Sequence, residues 1–406
     1  MDILKRFETY VKFETTSDEE SSTTPSTQKQ WDLARYLEQE LKAIGVPKVV
    51  LDEYGIVYGW LPATPGLEGA RPLGFISHMD TAPAALGAHV HMQVIENYNG
   101  EDVTLKSGDR ITVKDFPHLK DLKGRTLVTT DGTTLLGADD KAGITEIMTA
   151  VEKVISEDMP HGPLCIAFTV DEEVGRGADH FNVDLFGADY AYTVDGGPEN
   201  ELAYETFNAA SARVKIHGVS VHPGDAKNVM VNAALVACEF NSMLPVGETP
   251  AHTEGYEGFY HLDSMKGDVT TAVMSYIIRD HDRGIFEARK QKMTEVADAL
   301  NDKYGQGTVE LTLTDSYYNM KEIIEKHMHL IDYAKAVMSD LGMKADIIPV
   351  RGGTDGCRLS YMGLPCPNLG TGGYAYHGVL EHITKEGMEK ASAVVVGLIQ
   401  KYAQFK

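Results

Sequence analysis

Imidazole and carboxylate side chains recur in this sequence directly after short apolar runs. The groups are His78 with Asp80, Asp139 with Asp140, Asp171 with Glu172 and Glu173, and Asp195. Carboxylates brought together raise one another's pKa, so their convergence would cost stability unless a cation lay between them. Oxygen and imidazole ligands without a thiolate suit zinc, manganese or cobalt in a catalytic role. The residue types therefore predict a catalytic metal site.

The spacing of His78 and Asp80 fits a metal-binding histidine with a carboxylate partner. Residues two apart on a strand share a face, so both side chains point the same way. The carboxylate then accepts a hydrogen bond from the ring nitrogen that does not bind metal. Taken singly, a histidine at a strand end is more often structural, and Asp139 or Asp140 could cap the helix that follows. The metal interpretation rests on the several clusters taken together.

A second imidazole is expected in the last quarter of the chain, where the candidates are His327, His329, His377 and His382. His377 ends a stretch rich in glycine and proline, residues 361–378, and loops carried by a scaffold are where sites are built. His327 and His329 adjoin a predicted helix and are interpreted as surface residues. We therefore favour His377.

Alternating strands and helices are predicted to position these residues. The runs Leu73–Ser77, Leu164–Val170 and Tyr190–Val194 have strand length and are almost continuously apolar, which is typical of buried strands. Apolar residues spaced three and four apart predict helices at Gln28–Ile44 and Lys141–Ile155. This order indicates an α/β layered domain, in which ligands gather at the carboxyl ends of the strands.

The pattern changes near Phe207, where an α+β unit begins. Its predicted strands and helices are Ala212–Ile216, Val231–Met243, Ala272–Ile278, Phe286–Leu300 and Thr308–Thr314. The α/β style then resumes with predicted helices at Leu330–Leu341 and Glu386–Tyr402. We therefore predict a discontinuous catalytic domain, residues 1–207 plus 320–406, with a smaller α+β domain inserted at residues 208–319.

Composition excludes several classes of protein. The 406 residues include 37 basic and 60 acidic side chains, for a net charge of −23, which disfavours nucleic acid and anionic membranes as partners. No apolar run reaches the ~18 residues that a membrane helix needs. The four cysteines include no CxxC pair, and Met1–Val11 is amphipathic and not a signal peptide, so a reducing cytoplasm is predicted. Ser17–Thr27 is polar and predicted to be a flexible loop.

A set of short motifs is specific in its order and spacing. The motifs are HMD at 78–80, LLGADDKAG at 135–143, TVDEEVG at 169–175, TVDGG at 193–197, GVSVHPGDAKN at 218–228, RGGTDG at 351–356 and TGGYAYHG at 371–378. Together they resemble the co-catalytic zinc exopeptidase family that includes carboxypeptidase G, aminoacylase and succinyl-diaminopimelate desuccinylase. The resemblance runs over essentially the whole chain and is strongest to the tripeptide aminopeptidases of that family.

The resemblance implies a fold and a set of metal ligands. It implies an α/β, mixed-sheet three-layer catalytic domain with an inserted lid domain, and two Zn²⁺ per subunit, with Co²⁺ or Mn²⁺ as substitutes. Asp139 would bridge the two ions. His78 and Asp195 would complete one ion's ligands, and Glu173 and His377 would complete the other's.

Further roles are implied for residues that do not bind metal. Glu172 resembles the general base that takes a proton from metal-activated water, and Asp80 resembles the partner that supports His78. From an extended chain, adjacent Glu172 and Glu173 would face opposite ways, which suits a base next to a ligand.

Three further residues have plainer alternatives. His222 resembles the histidine that stabilises the oxyanion, but equally fits a loop histidine before proline. Arg279 resembles the lid arginine that meets the substrate's terminal carboxylate, but could form a surface ion pair with Asp280 or Asp282. RGGTDG lacks the Lys-Ser/Thr of a phosphate loop and is predicted to be a tight turn, whose Arg351 could meet a substrate carboxylate or lie on the surface.

By resemblance the chain is a cytoplasmic metallo-aminopeptidase that removes the N-terminal residue from short peptides, chiefly tripeptides. The nearest alternative is a deacylase of the same family acting on N-acyl amino acids. A non-catalytic metal-binding module is another, but it needs a missing base or ligand, and Glu172 and every candidate ligand are present. Short peptides are the predicted partners, with no nucleic acid and no membrane. The sequence leaves a homodimer open.

Overall fold

The computed structural model describes residues 1–405 and divides into two compact units. The first unit comprises Met1–Tyr204, Glu322–Ile348 and residues 354–405, and the second comprises Glu205–Lys321 and Pro349–Gly353. In chain order the second unit is thus inserted into the first. The assignment of residues 208–319 as a lid and the remainder as catalytic concerns function and stays a prediction.

An eight-stranded mixed sheet forms the centre of the first unit. Its strands, in order across the sheet, are Lys48–Leu51, Val57–Leu61, Leu164–Thr169, Leu73–His78, Tyr190–Val194, Asn368–Leu369, Glu201–Ala203 and Asp346–Ile347. Leu73–His78 runs parallel to both of its neighbours, and all of its residues are buried. Burial on both faces explains why the strands at the centre of the sheet are almost continuously apolar.

Helices cover both faces of this sheet. A Cβ at Gly74 would lie 2.5 Å from the Phe186 ring, whereas the Ser77 hydroxyl donates to the Asp140 carbonyl oxygen at 3.1 Å. Residues 74 and 77 face opposite sides of a strand, so the helices that carry Phe186 and Asp140 lie on opposite faces. The helices outside the second unit are Ile3–Val11, Gln30–Ala43, Ala138–Ser156, Val183–Phe186, His329–Asp340, Asp355–Tyr361 and Lys385–Tyr402, and Lys321–Ile324 joins the units.

The strands and helices predicted around the motifs are present, with ends that differ by a few residues. Tyr190–Val194 has its predicted ends, and the helix predicted from Lys141 begins at Ala138. Gly143 explains how closely this helix lies against the sheet, because a Cβ there would be 1.9 Å from the Val194 carbonyl oxygen. The predicted mixed α/β fold is confirmed. Within residues 1–405, none of the helices has the length and apolar character needed to span a membrane.

A smaller sheet of the first unit combines strands from the early and the late parts of the chain. Its strands, in order, are Gly373–Tyr374, His382–Thr384, Leu127–Thr130 and Met92–Ile95, and Val103–Thr104 pairs separately with Arg110–Ile111. His382–Thr384 runs antiparallel to Leu127–Thr130. This pairing joins the segment after residue 371 to the strand that precedes the helix Ala138–Ser156.

The second unit is a four-stranded antiparallel sheet packed against two helices. The strands, in order, are Phe259–Gly267, Thr271–Asp280, Asn208–His217 and Val309–Tyr317, and the helices are Ala233–Ser242 and Arg283–Tyr304. Burial alternates along Thr271–Asp280, as expected for a strand with one face in a core. Helix residues such as Phe240 and Phe286 belong to that core.

Candidate metal centre

Five predicted ligands from separate segments of the first unit lie together. His78 Nε2 is 3.0 Å from Asp139 Oδ1, and His377 Nε2 is 3.1 Å from Asp139 Oδ2 and 3.0 Å from Glu173 Oε2. The ligand atoms of His78, Asp139 and Asp195 lie within 4.8 Å of one another, as do those of Asp139, Glu173 and His377. Asp139 belongs to both groups and turns one oxygen toward each histidine.

Parallel strands bring these residues to one edge of the sheet. His78 ends the central strand, and Glu173 and Asp195 follow the strands Leu164–Thr169 and Tyr190–Val194 on either side of it. Because the three strands run parallel, their carboxyl ends meet at the same edge. The rule that ligands gather at the carboxyl ends of parallel strands therefore accounts for the position of these three side chains.

The donor set fits two divalent cations. Glu173 Oε1 is buried and has no hydrogen-bond partner among the described residues, an arrangement that is costly unless a cation or water satisfies the atom. Three carboxylates and two imidazoles are ligands that suit zinc, cobalt or manganese. Asp139, with one oxygen in each group, is the residue that could be shared by two ions.

Burial and crowding shift the pKa values of these groups. Burial raises the pKa of Asp195 to about 7, and the negative charges of Asp139 and Glu173 add to this effect. Hydrogen bonds to Asp139 and Glu173 raise the pKa of His377 to about 10. Burial opposes ionisation of Asp139, but hydrogen bonds from His377 and His78 outweigh it and lower the pKa of that carboxyl. The carboxylates thus require positive charge close by, which divalent cations would supply.

Asp80 orients His78 and holds the neighbouring turn. Its backbone carbonyl oxygen lies 3.1 Å from His78 Nδ1 and its Oδ1 lies 3.3 Å from the same nitrogen, which leaves His78 Nε2 directed at Asp139. The two Asp80 oxygens also accept the backbone N–H groups of Glu172 and Glu173, at 3.0 and 3.1 Å. This is the carboxylate–histidine arrangement that fixes the ring orientation of a metal ligand.

Glu172 and Glu173 do not lie on an extended chain. The expectation that strand alternation turns their side chains to opposite sides is therefore wrong. They begin the 3₁₀ turn Glu172–Val174, and Asp171 before it has a left-handed φ of 58°. The turn directs both backbone N–H groups at Asp80, while the Glu173 side chain reaches His377. A sharp turn and not strand alternation therefore separates the two side chains.

Glu172 adjoins the ligands without belonging to either group. Its Oε2 lies 3.9 Å from His78 Nε2. Burial raises the pKa of Glu172 well above its usual value, although the nearby His78 opposes the rise. A carboxyl group with a raised pKa can hold a proton near neutral pH, which is what general acid–base catalysis requires.

Asp171 ties the turn to the amino-terminal part of the chain. Its carboxylate accepts the N–H and the hydroxyl of Ser26, at 2.7 and 2.5 Å, and the Gln30 amide at 2.7 Å. The segment Ser17–Thr27, predicted to be flexible from its polar composition, is therefore hydrogen-bonded to the candidate site. Ser26 of this segment satisfies a buried carboxylate, which composition does not reveal.

Asp140 lies outside both ligand groups. Its carboxylate accepts the Ser77 hydroxyl and the N–H groups of His78 and Gly143, the latter two at 3.2 and 3.3 Å. The contact with Gly143 is that of a carboxylate at a helix start, as the sequence suggested. Of this adjacent pair, only Asp139 contacts the imidazole rings of His78 and His377.

Arg279 contacts the backbone of its own sheet in the second unit. Its Nη1 donates to the carbonyl oxygens of Ala210 and Ile278, at 3.3 and 2.9 Å. Asp280, considered as an ion-pair partner, binds Arg289 instead, with Oδ2 2.8 Å from Nε. The substrate-binding role of Arg279 stays a prediction.

His222 and Arg351 also make contacts within the second unit. His222 is exposed, and its Nδ1 accepts the N–H of Gly224 at 3.1 Å. Arg351 Nη1 donates to the carbonyl oxygens of Gly255 and Glu257, at 2.7 and 2.9 Å. These bonds give Arg351 a structural use, and the predicted catalytic and substrate-binding roles of the two residues are not tested by them.

Two buried carboxylates near the ligands were missed in the sequence. Asp355, from the motif predicted to be a tight turn, begins a helix and accepts the Thr169 hydroxyl at 2.7 Å. Glu381 accepts backbone N–H groups of the loop that carries Asp139. For Asp355 the signal is the preceding threonine, a preferred helix cap. For Glu381 the sequence carries no signal, because its partners are backbone N–H groups.

Two family models match parts of the chain. One, described as a peptidase dimerisation domain, matches residues 204–308. The other, described as M42 glutamyl aminopeptidase, matches residues 101–238. The first match lies largely within the second unit.

Known relatives match the whole chain. Peptidase T of Halothermothrix orenii is 53% identical over 405 residues, covering 99% of this chain and 99% of the relative. Peptidase T of Geobacillus thermodenitrificans is 52% identical over 406 residues, covering 99% of this chain and 98% of the relative.

Solved structures share the fold. Aminopeptidase PepT from Bacillus cereus has a TM-score of 0.79 and 23% identity, covering 99% of this chain and 98% of that one. A dinuclear metal-binding peptidase of the M20 family from Bacillus subtilis has a TM-score of 0.68 and 11% identity, covering 100% of this chain and 98% of that one. The mixed α/β fold is therefore that of the M20 peptidases.

Proposed function

The chain belongs to the peptidase T family of aminopeptidases, and from that premise we propose that it is a dizinc enzyme that removes the N-terminal residue from short peptides, chiefly tripeptides. One observation carries the proposal: Asp139 turns one carboxylate oxygen toward His78 and the other toward His377, each within 3.1 Å. A carboxylate shared between two histidine-containing groups suits a pair of metal ions. We assign His78, Asp139 and Asp195 to one zinc, and Asp139, Glu173 and His377 to the other.

Two bound ions would supply Lewis-acid chemistry, polarising the peptide carbonyl and lowering the pKa of a water molecule toward ~7. The protein supplies the proton carrier. We propose that Glu172 takes the proton of the attacking water on a carboxylate oxygen, holds it, and delivers it to the nitrogen of the leaving amine. Its burial and raised pKa support this role. A positioned acid–base group of this kind contributes about 10²–10⁴-fold to the rate.

Asp80 is a positioning residue in this mechanism. Its carboxylate faces His78 Nδ1 and binds the N–H groups at the start of the turn that carries Glu172 and Glu173. One side chain thus fixes a ligand and the base relative to each other. A carboxylate that supports a histidine ligand in this way raises the basicity of the ring.

His222 and Arg279 are proposed to act on the substrate. Because His222 Nδ1 accepts the Gly224 N–H, a neutral ring carries its proton on Nε2, which is the nitrogen that can donate to an oxyanion. Arg279 and Arg351 are proposed to bind a carboxylate of the peptide. The roles of His222 and Arg279 rest on the family resemblance, and that of Arg351 on its place at the start of RGGTDG.

The cellular location, partners and oligomeric state of the enzyme are proposed from other observations. Its four cysteines are all free, which fits the cytoplasm. Short peptides are the proposed substrates, and nucleic acid and membranes are not proposed partners. A homodimer is proposed from the match of residues 204–308 to a peptidase dimerisation domain.

A substrate panel tests the proposal. Purified protein loaded with zinc would be given dipeptides, tripeptides, tetrapeptides and N-acetyl amino acids, with release of each product followed by chromatography. We expect cleavage at the free N-terminus, with the highest kcat/KM on tripeptides. Preferred hydrolysis of the acylated compounds would instead identify a deacylase.

A further inference from the structure

One short segment contacts Asp139 at both its side chain and its backbone. His377 Nε2 lies 3.1 Å from Asp139 Oδ2, and Glu381, four residues later, accepts the Asp139 N–H at Oε1, at 3.0 Å. The Glu381 N–H donates to the Gly378 carbonyl oxygen at 3.2 Å, which closes the segment into a turn. We propose that Glu381 is a positioning residue of the metal centre, whose carboxylate fixes the loop of Asp139 to the segment that carries His377.

Glu381 is committed to this loop by three backbone hydrogen bonds. Its Oε2 accepts the N–H groups of Leu136 and Gly137, both at 2.8 Å, in addition to the bond from Asp139 to Oε1. The residue is only 1% exposed. A buried carboxylate is costly unless it is hydrogen-bonded, and backbone N–H groups are strong partners for it.

The same bonds hold the loop that leads into the helix Ala138–Ser156. Leu136 and Gly137 precede this helix, and the backbone angles of Asp139 and Asp140 at its beginning are not helical. Backbone N–H groups in such an irregular segment need acceptors other than helix carbonyls, and Glu381 accepts three of them. The residue that would be shared by both ions thus lies in a loop that is hydrogen-bonded to a distant part of the chain.

The consequence for metal binding follows from the double role of Asp139. Because its two oxygens belong to different ligand groups, any displacement of its backbone moves a ligand of both ions. Loss of a partner of this kind typically costs ~10–100-fold in metal affinity. The inference rests on the proposed dizinc site, but not on which peptide is hydrolysed.

Glu381→Gln is the central variant. It keeps the size of the side chain but replaces one acceptor oxygen by an NH₂ group that faces backbone donors. Zinc affinity of the full-length metal-free protein would be measured by competition with a chromophoric chelator. We expect the dissociation constant to rise ~10–100-fold, and the tripeptidase activity to return when free zinc is raised.

Glu146→Gln is the matched control. Glu146 lies on the same helix and is fully buried, and neither carboxylate oxygen has a hydrogen-bond partner among residues 1–405. Glutamine there removes a buried carboxyl group of the same size without touching the loop of Asp139. We expect unchanged zinc affinity. A purely structural role for Glu381 would lower the melting temperature of the metal-free protein and leave zinc affinity as in the wild type.

Glu381→Asp provides a second variant that keeps the charge but withdraws the carboxylate by one methylene. Like Glu381→Gln, it is expected to raise the dissociation constant for zinc. Wild-type zinc affinity in folded Glu381→Gln would overturn the inference, as would failure of both variants to fold even with zinc. A wild-type protein that binds two zinc ions but cleaves no peptide would refute the proposed function and leave this inference standing.

Discussion

The two units differ in what surrounds their predicted functional residues. In the first unit, ligands far apart in sequence contact one another, as Asp139 does with His78 and His377. In the second unit, Arg279 hydrogen-bonds backbone carbonyls of its own sheet, and His222 is exposed beside its own loop. A metal centre brings several carboxylates and imidazoles into contact, so its residues can be recognised from their contacts with one another. The residues predicted to meet a substrate make only local contacts, which do not distinguish them from structural residues.

The largest effect is expected from the adjacent aspartates. Asp139→Asn should lose the shared ligand and with it both ions and nearly all activity. Asp140→Asn should reduce thermal stability, because its contacts with Ser77, His78 and Gly143 are internal, while metal is retained. Metal analysis by mass spectrometry and thermal melting of both variants would check this. Retention of two ions by Asp139→Asn would remove that residue from the centre.

Variants of the adjacent Glu172 and Glu173 should separate loss of catalytic rate from loss of metal binding. Glu172→Gln is expected to lower kcat by about 10²–10⁴-fold while two metal ions remain bound, since it removes only the proton carrier. Glu173→Gln is expected to lose a ligand and so release metal. Steady-state kinetics and metal content of the two variants would be compared. If Glu172→Gln kept wild-type kcat, another residue would be the base.

Stability in acid should depend on the buried His382 of the first unit and its partner His118. His382 Nε2 lies 2.9 Å from His118 Nε2, and His382 Nδ1 lies 2.7 Å from the Leu380 carbonyl oxygen. The His382 ring therefore donates from Nδ1 and accepts at Nε2, so a second proton would put two donors face to face. Burial lowers the pKa of His382 to about 4.

The direction of the pH effect on stability follows from the lower pKa of His382 in the folded protein. The unfolded chain, with a pKa of ~6.5, binds the proton first as the pH falls. Stability is therefore complete above pH ~6.5 and is lost as the pH falls toward ~4, by about 2 kcal/mol at pH ~5. His382→Asn should show a pH dependence of unfolding smaller by that amount. The exposed His222→Asn is the control and should unfold with the wild-type pH dependence.

The smallest changes in activity are expected from substitutions in the second unit. Arg279→Ala should raise KM for a tripeptide on the order of tenfold with little change in kcat, since it removes a charged hydrogen bond to bound substrate. Arg351→Ala should chiefly lower thermal stability, because its guanidinium holds the backbone at Gly255 and Glu257. Kinetics and melting curves would be measured for both. A raised KM for Arg351→Ala at unchanged stability would support its predicted role in substrate binding.

Prediction from sequence worked best where one physical rule links residue type to place. Apolar runs marked the buried strands, and the carboxyl ends of parallel strands marked the positions of His78, Glu173 and Asp195. The turn at Glu172 was not predictable, because it depends on Asp171 binding Ser26 and Gln30 from a distant segment. Glu381 was missed for the same reason, since its partners are backbone groups that the sequence does not display.

We propose that a pair of metal ions makes this chain a peptidase, and that the ions are held by His78, Asp139, Glu173, Asp195 and His377. The decisive measurement is of metal content and tripeptide hydrolysis on one preparation, before and after a chelator and after zinc is restored. We predict two ions per chain, loss of activity with the metal, and recovery with zinc. A preparation that stays fully active without transition metal would refute the proposed metal centre.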